Sequence, residues 1–258
     1  MNTARWIRHF HENTRLNATL GLPERCDLLP ETGRRAVAAS LAVFQLGESG
    51  GGTRLLRWHA RCKALRHVSG LEEALRAFIA EEQGHAALLA RVLDHLQEPP
   101  MQKQWTNSVF RWLRNVLNLE FNMQVLLTAE LIAELYYGQL RLRCRDSVVR
   151  TAAGKILHDE MQHLAFQREF LTERLRSTSP LFRSLWRLQF RFIHAVTSRV
   201  VAWDHRHCLR TLGLTPREFF RRGAAARRHF ERRLEKQLAT AAVPALPGSA
   251  TPPVSHPV

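Results

Sequence analysis

Cysteine is scarce in this chain. Cys26, Cys62, Cys144 and Cys208 stand far apart with no Cys-x-x-Cys pair, which argues against a disulfide framework or a thiolate zinc site. Proline and glycine are sparse before the C-terminus, and strand-like alternation is hard to find, so the expected class is all-α. No run approaches the roughly 18–20 uninterrupted apolar residues of a membrane-spanning helix. The nearest, Trp186 to Trp203, is interrupted by Arg187, Arg191 and Arg199. The basic N-terminus has no apolar core ahead of a cleavage site, so no secretory signal is expected and a reducing, cytoplasmic setting is. Acidic residues are also in short supply, 23 against 38 Lys+Arg, for a net charge of +15. Such a balance is compatible with nucleic acid, anionic lipid or acidic substrates. Only Lys63, Lys103, Lys155 and Lys236 are not Arg, however, which points to codon supply as much as to a binding surface.

Hydrophobic residues make up 45% of the 258 positions, enough for a large core. Residues 1–33 read as an irregular or partly helical lead-in broken by Pro23 and Pro30. A first long helix is expected over about 34–66, a second over 71–96 after the Ser69-Gly70 turn, a third over 107–143 and a fourth over 148–176. Pro99 and Pro100 force a non-helical crossover between the second and third. The 34–176 segment is thus expected to be one four-helix unit. A helical extension over 177–238 follows: an amphipathic helix over 181–212, then a basic helix with Pro216 at its first position. The tail from 239 to 258 reads as disordered.

Two Glu-x-x-His motifs are present, Glu82-Gln-Gly-His85 and Glu160-Met-Gln-His163, each in a long apolar helical stretch. Residues i and i+3 share a helix face, so each pair can reach one metal ion. Glu48 precedes Glu82 by 34 positions, and Glu130 precedes Glu160 by 30. In antiparallel helices joined by a turn, those spacings place all four segments at one level. Glu48 is the one acidic residue between Glu31 and Glu72, at the end of an apolar run where an unpaired carboxylate is costly. Four carboxylates and two imidazoles suit iron or manganese. Glu48, Glu82, His85, Glu130, Glu160 and His163 are therefore the candidate ligands. Glu134, one turn beyond Glu130, is the alternative on the third helix; Glu120 reads as structural. Glu81 and Asp159 precede the motifs directly, and by the internal symmetry Asp159 should accept the free ring N–H of His85 and Glu81 that of His163. Asp204-His205-Arg-His207 has a similar look but no matching Glu on a partner helix, and reads as surface or packing. Gly84 and Gly50–Gly52 either leave room for a small molecule or mark tight packing.

The order of these motifs resembles the ferritin-like superfamily of di-iron carboxylate proteins. The likeness rests on Phe44-Gln-Leu-Gly-Glu48, Phe78 to Ala86, Ala129 to Tyr137 and Asp159 to His163, and covers roughly residues 36–175. It implies a ferritin-like four-helix bundle with additional C-terminal helices, and two Fe ions (Mn/Fe or Mn being possible) on the six ligands. Departures narrow the choice. The radical-generating reductase subunit carries its Tyr one turn after the first His, where this chain has Leu89, and Tyr136 and Tyr137 are its only tyrosines. The rubredoxin module of rubrerythrins is absent. Storage ferritins are shorter than this chain.

The resemblance thus implies a di-iron oxidoreductase that activates dioxygen to oxidise a small organic substrate. It would take electrons from a separate donor protein, and a homodimer is compatible. A tRNA- or nucleic-acid-modifying hydroxylase, holding phosphates on Arg221, Arg222, Arg227 and Arg228, is one alternative. A non-enzymatic ferritin-like metal-binding protein is the other.

Overall fold

The computed structural model describes residues 1–24, 29–50, 52–62, 65–101 and 119–242, and these are helical with no strand among them. In chain order the helices are α1 (Thr3–Thr19), α2 (Glu31–Glu48), α3 (Thr53–Arg61), α4 (Leu71–His95), α5 (Leu119–Arg143), α6 (Ser147–Leu175), α7 (Pro180–Asp204), α8 (Arg206–Thr211) and α9 (Pro216–Ala242). Residues 243–258 of the expected tail, Cys26, residues 102–104 of the expected crossover, the first part (107–118) of the expected third helix and the side chain of Glu120 lie outside the described residues, while 239–242, expected to be disordered, continue α9. Among the described cysteines, Cys62, Cys144 and Cys208 are buried and free.

The helix ends follow local chemistry. The Asp146 side chain accepts the Val149 amide at 3.0 Å and starts α6. Ser179 does the same for Phe182 at 3.2 Å, with Pro180 next in line. Thr215 and Glu218 form a reciprocal capping box at 3.0 and 3.1 Å that starts α9. The expected helix over 34–66 is instead split: α2 stops at Glu48 and α3 begins after Gly52. Gly52 has φ +57, and a Cβ there would lie 2.3 Å from Ile79 Cδ1, so only glycine fits. The lead-in also holds more order than its composition suggests. Helix α1 buries Trp6, Phe10, Asn13 and Asn17 against α4 and α6.

Helices α2 and α4 pair, α5 and α6 pair, and α4 packs on α6. Helix α2 meets α5 through a parallel stack of Phe44 on Tyr136, centroids 4.0 Å apart. Two apolar cores result. One gathers Leu41, Leu88, Leu89, Tyr136, Leu140, Val149 and Ile156. The other gathers Trp6, Phe10, Leu75, Phe78, Leu127, Phe166 and Phe190. On α4, α5 and α6 the residues of the two cores lie on either side of a single polar layer, at His85, Glu130 and Glu160–His163. Helices α7 and α9 pack together and close over α5. Helix α7 is apolar on both sides. Trp186 and Phe190 face inward and Arg191 and Arg199 outward, as an amphipathic helix requires, but Leu181, Leu185, Leu188, Phe192 and Trp203 are exposed too, and the helix expected over 181–212 is divided at His205 into α7 and α8.

Candidate metal centre

The polar layer contains all six predicted ligands. Glu48 comes from α2, Glu82 and His85 from α4, Glu130 from α5, and Glu160 and His163 from α6. Their donor atoms form two overlapping groups, each with its atoms within 4.8 Å of one another. One is Glu48, Glu82, His85 and Glu160; the other is Glu82, Glu130, Glu160 and His163. Glu82 and Glu160 belong to both. The i, i+3 spacing gives each helix one shared carboxylate and one imidazole on the same face. Glu134 is half-buried and belongs to neither group, so of the two α5 candidates it is Glu130 that joins the layer.

The layer is deeply buried. His85 and His163 are 0% exposed and Glu160 1%. His163 Nδ1 lies 2.8 Å from Glu82, 3.3 Å from Glu130 and 3.5 Å from Glu160. His85 Nδ1 lies 3.8 Å from Glu160. Yet Glu82 Oε1, His85 Nδ1, Glu130 Oε2, Glu160 Oε2 and His163 Nδ1 have no hydrogen-bond partner despite burial. Converging, unpaired donors of this kind are costly without a cation between them. Burial, reinforced by Glu82, raises the Glu48 carboxyl well above its usual range; burial and Glu130 do the same for Glu160. Burial opposes charge on His163, but Glu82, Glu130 and Glu160 outweigh it and push that imidazole well up. The layer thus recruits protons for lack of positive charge, and its oxygen and nitrogen donors can hold a metal ion.

Glu48, His85 and Glu130 are each held by a hydrogen bond from outside the ligand set. The Asp159 carboxylate lies 3.0 Å from His85 Nε2, as the motif symmetry predicts. The matching contact, Glu81 to His163 Nε2, is longer at 3.6 Å, so Glu81 stands beside the ring without a hydrogen bond to it. The two acids are tied together by Asn13 of α1, whose amide donates to Glu81 Oε1 and to Asp159 Oδ1, both at 2.9 Å. Lys155, one turn before Asp159, forms an ion pair with it at 2.6 Å. The Tyr137 hydroxyl donates to Glu48 at 3.1 Å, and the Gln167 amide donates to Glu130 at 2.9 Å. Sequence reasoning missed Asn13, Lys155, Tyr137 and Gln167. Only Lys155, at i−4 from Asp159, carried a spacing signal. Phe78 and Phe10 cover the His163 ring edge-on at 4.6 and 5.9 Å.

The glycines divide. A Cβ on Gly84 would make ordinary contact with Asn17 of α1 at 3.5 Å, so Gly84 faces a packed helix and not the cavity. Gly47 has nothing within 4 Å and borders a cavity of about 210 Å³. Glu48, Glu82, Glu130 and Glu160 face this cavity, as do Val43, Phe44, Ile132, Val200 and Val201. Asp204 and His205 also line it; His205 is buried between Ser40 and Phe44, which is the packing role rather than the surface one. The four α9 arginines singled out as phosphate ligands do not form one free patch. Arg221 and Arg228 are exposed, Arg222 is half-buried, and Arg227 is paired with Glu231 at 2.6 Å.

The chain matches no protein-family model, no curated protein and no solved structure.

Proposed function

We propose that this protein is a di-iron oxidoreductase of ferritin-like architecture, oxidising a small organic substrate with dioxygen. The observation that carries the reading is the pair of overlapping donor groups sharing Glu82 and Glu160. Two positions with two common carboxylates, one further carboxylate each and one imidazole each are the donor set of a bridged dinuclear site. Glu48 and His85 would hold one ion, Glu130 and His163 the other, with Glu82 and Glu160 between them. When bound, an iron pair supplies electrons to dioxygen, and a separate reductase restores them.

The protein's own residues set the conditions. Asp159 fixes the His85 ring so that Nδ1 faces the layer. Tyr137 and Gln167 each occupy one oxygen of a flanking carboxylate, leaving the other for a metal. Phe10, Phe78 and Phe166 keep the His163 side dry. The cavity on the Glu48–Glu130 side gives a small molecule access to the same carboxylates.

Expression with iron and a count of metal per chain tests the reading, together with the absorption of an oxo-bridged pair after oxygen meets the ferrous protein. Two irons per chain are expected. Glu160→Ala and Glu130→Gln should lose most of the metal, and Glu134→Gln should retain it. Fewer than one metal per chain, unchanged by Glu160→Ala, would sink the proposal.

A further inference from the structure

The cavity beside the polar layer has a second polar end. His205 Nδ1 lies 2.7 Å from the Ser40 hydroxyl, which in turn lies 2.6 Å from that of Tyr136. At about 1.5 Å rise per residue, Ser40 stands about 12 Å along α2 from Glu48, and Tyr136 about 9 Å along α5 from Glu130. Asp204 and His205 therefore line the cavity roughly one small molecule's length from the carboxylates. Between the two ends its wall is apolar: Val43, Phe44, Val125, Ile132, Val200 and Val201. Asp204, His205, Thr197, Val200 and Val201 come from α7 and the α7–α8 junction, outside the four helices that carry the layer.

Charge narrows the occupant further. The chain has 38 Lys+Arg, yet none lines the cavity among the described residues. Five carboxylates do, counting Asp204. Burial lowers the His205 imidazole to about 4, with Asp204 acting in the opposite sense, so His205 is neutral near pH 7. A carboxylate, phosphate or sulfate group entering the metal-free cavity meets acidic residues and no fixed cation, and at its far end it meets Asp204 whether or not metal is bound. Size sets the other bound. A dry cavity of about 150 Å³ takes up benzene, so about 210 Å³ suits roughly eight to ten non-hydrogen atoms.

We infer that the cavity is the substrate pocket and that its substrate is a small, mainly apolar molecule without an anionic group, its alcohol or amine function held by Asp204 and His205 and its apolar end directed at the carboxylate layer. This rests on the oxidoreductase reading for the word substrate. The binding preference itself rests on the cavity alone.

The test is calorimetric titration of three molecules of one shape, 2-phenylethanol, 2-phenylethylamine and phenylacetate, into metal-free protein and into iron(II)-loaded protein kept without oxygen. The alcohol and the amine should bind at least tenfold tighter than phenylacetate to the metal-free protein, and iron(II) should narrow that gap by offsetting the layer carboxylates without moving the effect of the Asp204 end. Val200→Phe and Ala133→Phe, which fill the cavity, should each weaken them tenfold or more. Asp204→Lys should shift the preference towards phenylacetate by tenfold or more. Thr197→Lys provides the same charge change from a second position if Asp204→Lys fails to fold. Phenylacetate binding as tightly as the amine to the unaltered, metal-free protein overturns the inference. So does a preference that neither lysine variant moves, or an affinity that both phenylalanine variants leave intact. A chain that takes up no iron but keeps the ordering would lose the oxidoreductase reading and keep the pocket. Iron loading without the ordering would do the reverse.

Discussion

The Tyr137 hydroxyl donates a hydrogen bond to Glu48 across the α2–α5 contact, 3.1 Å between oxygens. That hydrogen bond holds the carboxylate of the last residue of α2. Glu48 is 9% exposed and its carboxyl is pushed up by burial and by Glu82, so its charge depends on a donor. Tyr137→Phe removes the donor and keeps the ring. Groups that orient metal ligands typically contribute 10- to 100-fold to metal affinity. Iron(II) titration of the variant should show a loss in that range for one of the two equivalents, with the helical circular-dichroism signal unchanged.

Asn13 has the larger structural consequence. One amide nitrogen satisfies Glu81 and Asp159, carboxylates 0% exposed on two different helix pairs. Asn13→Leu keeps the volume and withdraws both hydrogen bonds. Bonds to charged groups contribute about 1.5–3 kcal/mol each. The variant should lose about 3 kcal/mol in urea unfolding of the metal-free protein, and its iron affinity should fall as well. A loss below about 0.5 kcal/mol would mean that Lys155 alone suffices for Asp159.

Acid should destabilise the fold from a place remote from the metal centre. Burial, then the charge of Arg227, lowers His194 from 6.5 to about 4. Below pH 6.5 the unfolded chain takes up a proton there that the folded chain refuses until about pH 4. Stability is therefore lost as pH falls through that window and changes no further below it. At about 1.4 kcal/mol per pH unit, the loss from this residue reaches about 3 kcal/mol. His194→Gln should remove that part of the slope. The stability difference between variant and parent should be constant above pH 6.5 and move by about 3 kcal/mol in the variant's favour by pH 4, as read from denaturant unfolding at a series of pH values.

What could be seen in the sequence was periodic or local. The two Glu-x-x-His pairs lie at helical spacing, Glu48 and Glu130 mirror each other, and Pro216 marks a helix start. All of these came together where the spacing placed them. Choosing Glu130 over Glu134 was possible because helix pairs meeting at a turn impose equal depth. Asn13, Tyr137 and Gln167 were not visible, because each acts across a tertiary contact and none recurs at a spacing that marks it. The split between α2 and α3 was missed because the sequence does not show Ile79 sitting where a Cβ at Gly52 would be. The contribution of Asp204 and His205 to the cavity was missed because that segment lacks the partner Glu that made the other His motifs legible.

The position of Asn13 also sets an order of events. Its two partners lie 68 and 146 residues further along the chain. Helix α1 precedes both partner helices, so its amide can meet Glu81 only once α4 has been made and Asp159 only once α6 has. Closing loops of that length is slow compared with forming the helices themselves. The α2–α4, α1–α4 and α5–α6 contacts join nearer segments, whereas the Asn13 bond to Asp159 spans 146 residues and needs both sides of the layer in place. A chain caught before that bond forms would have its helices in place and its buried acids unmatched.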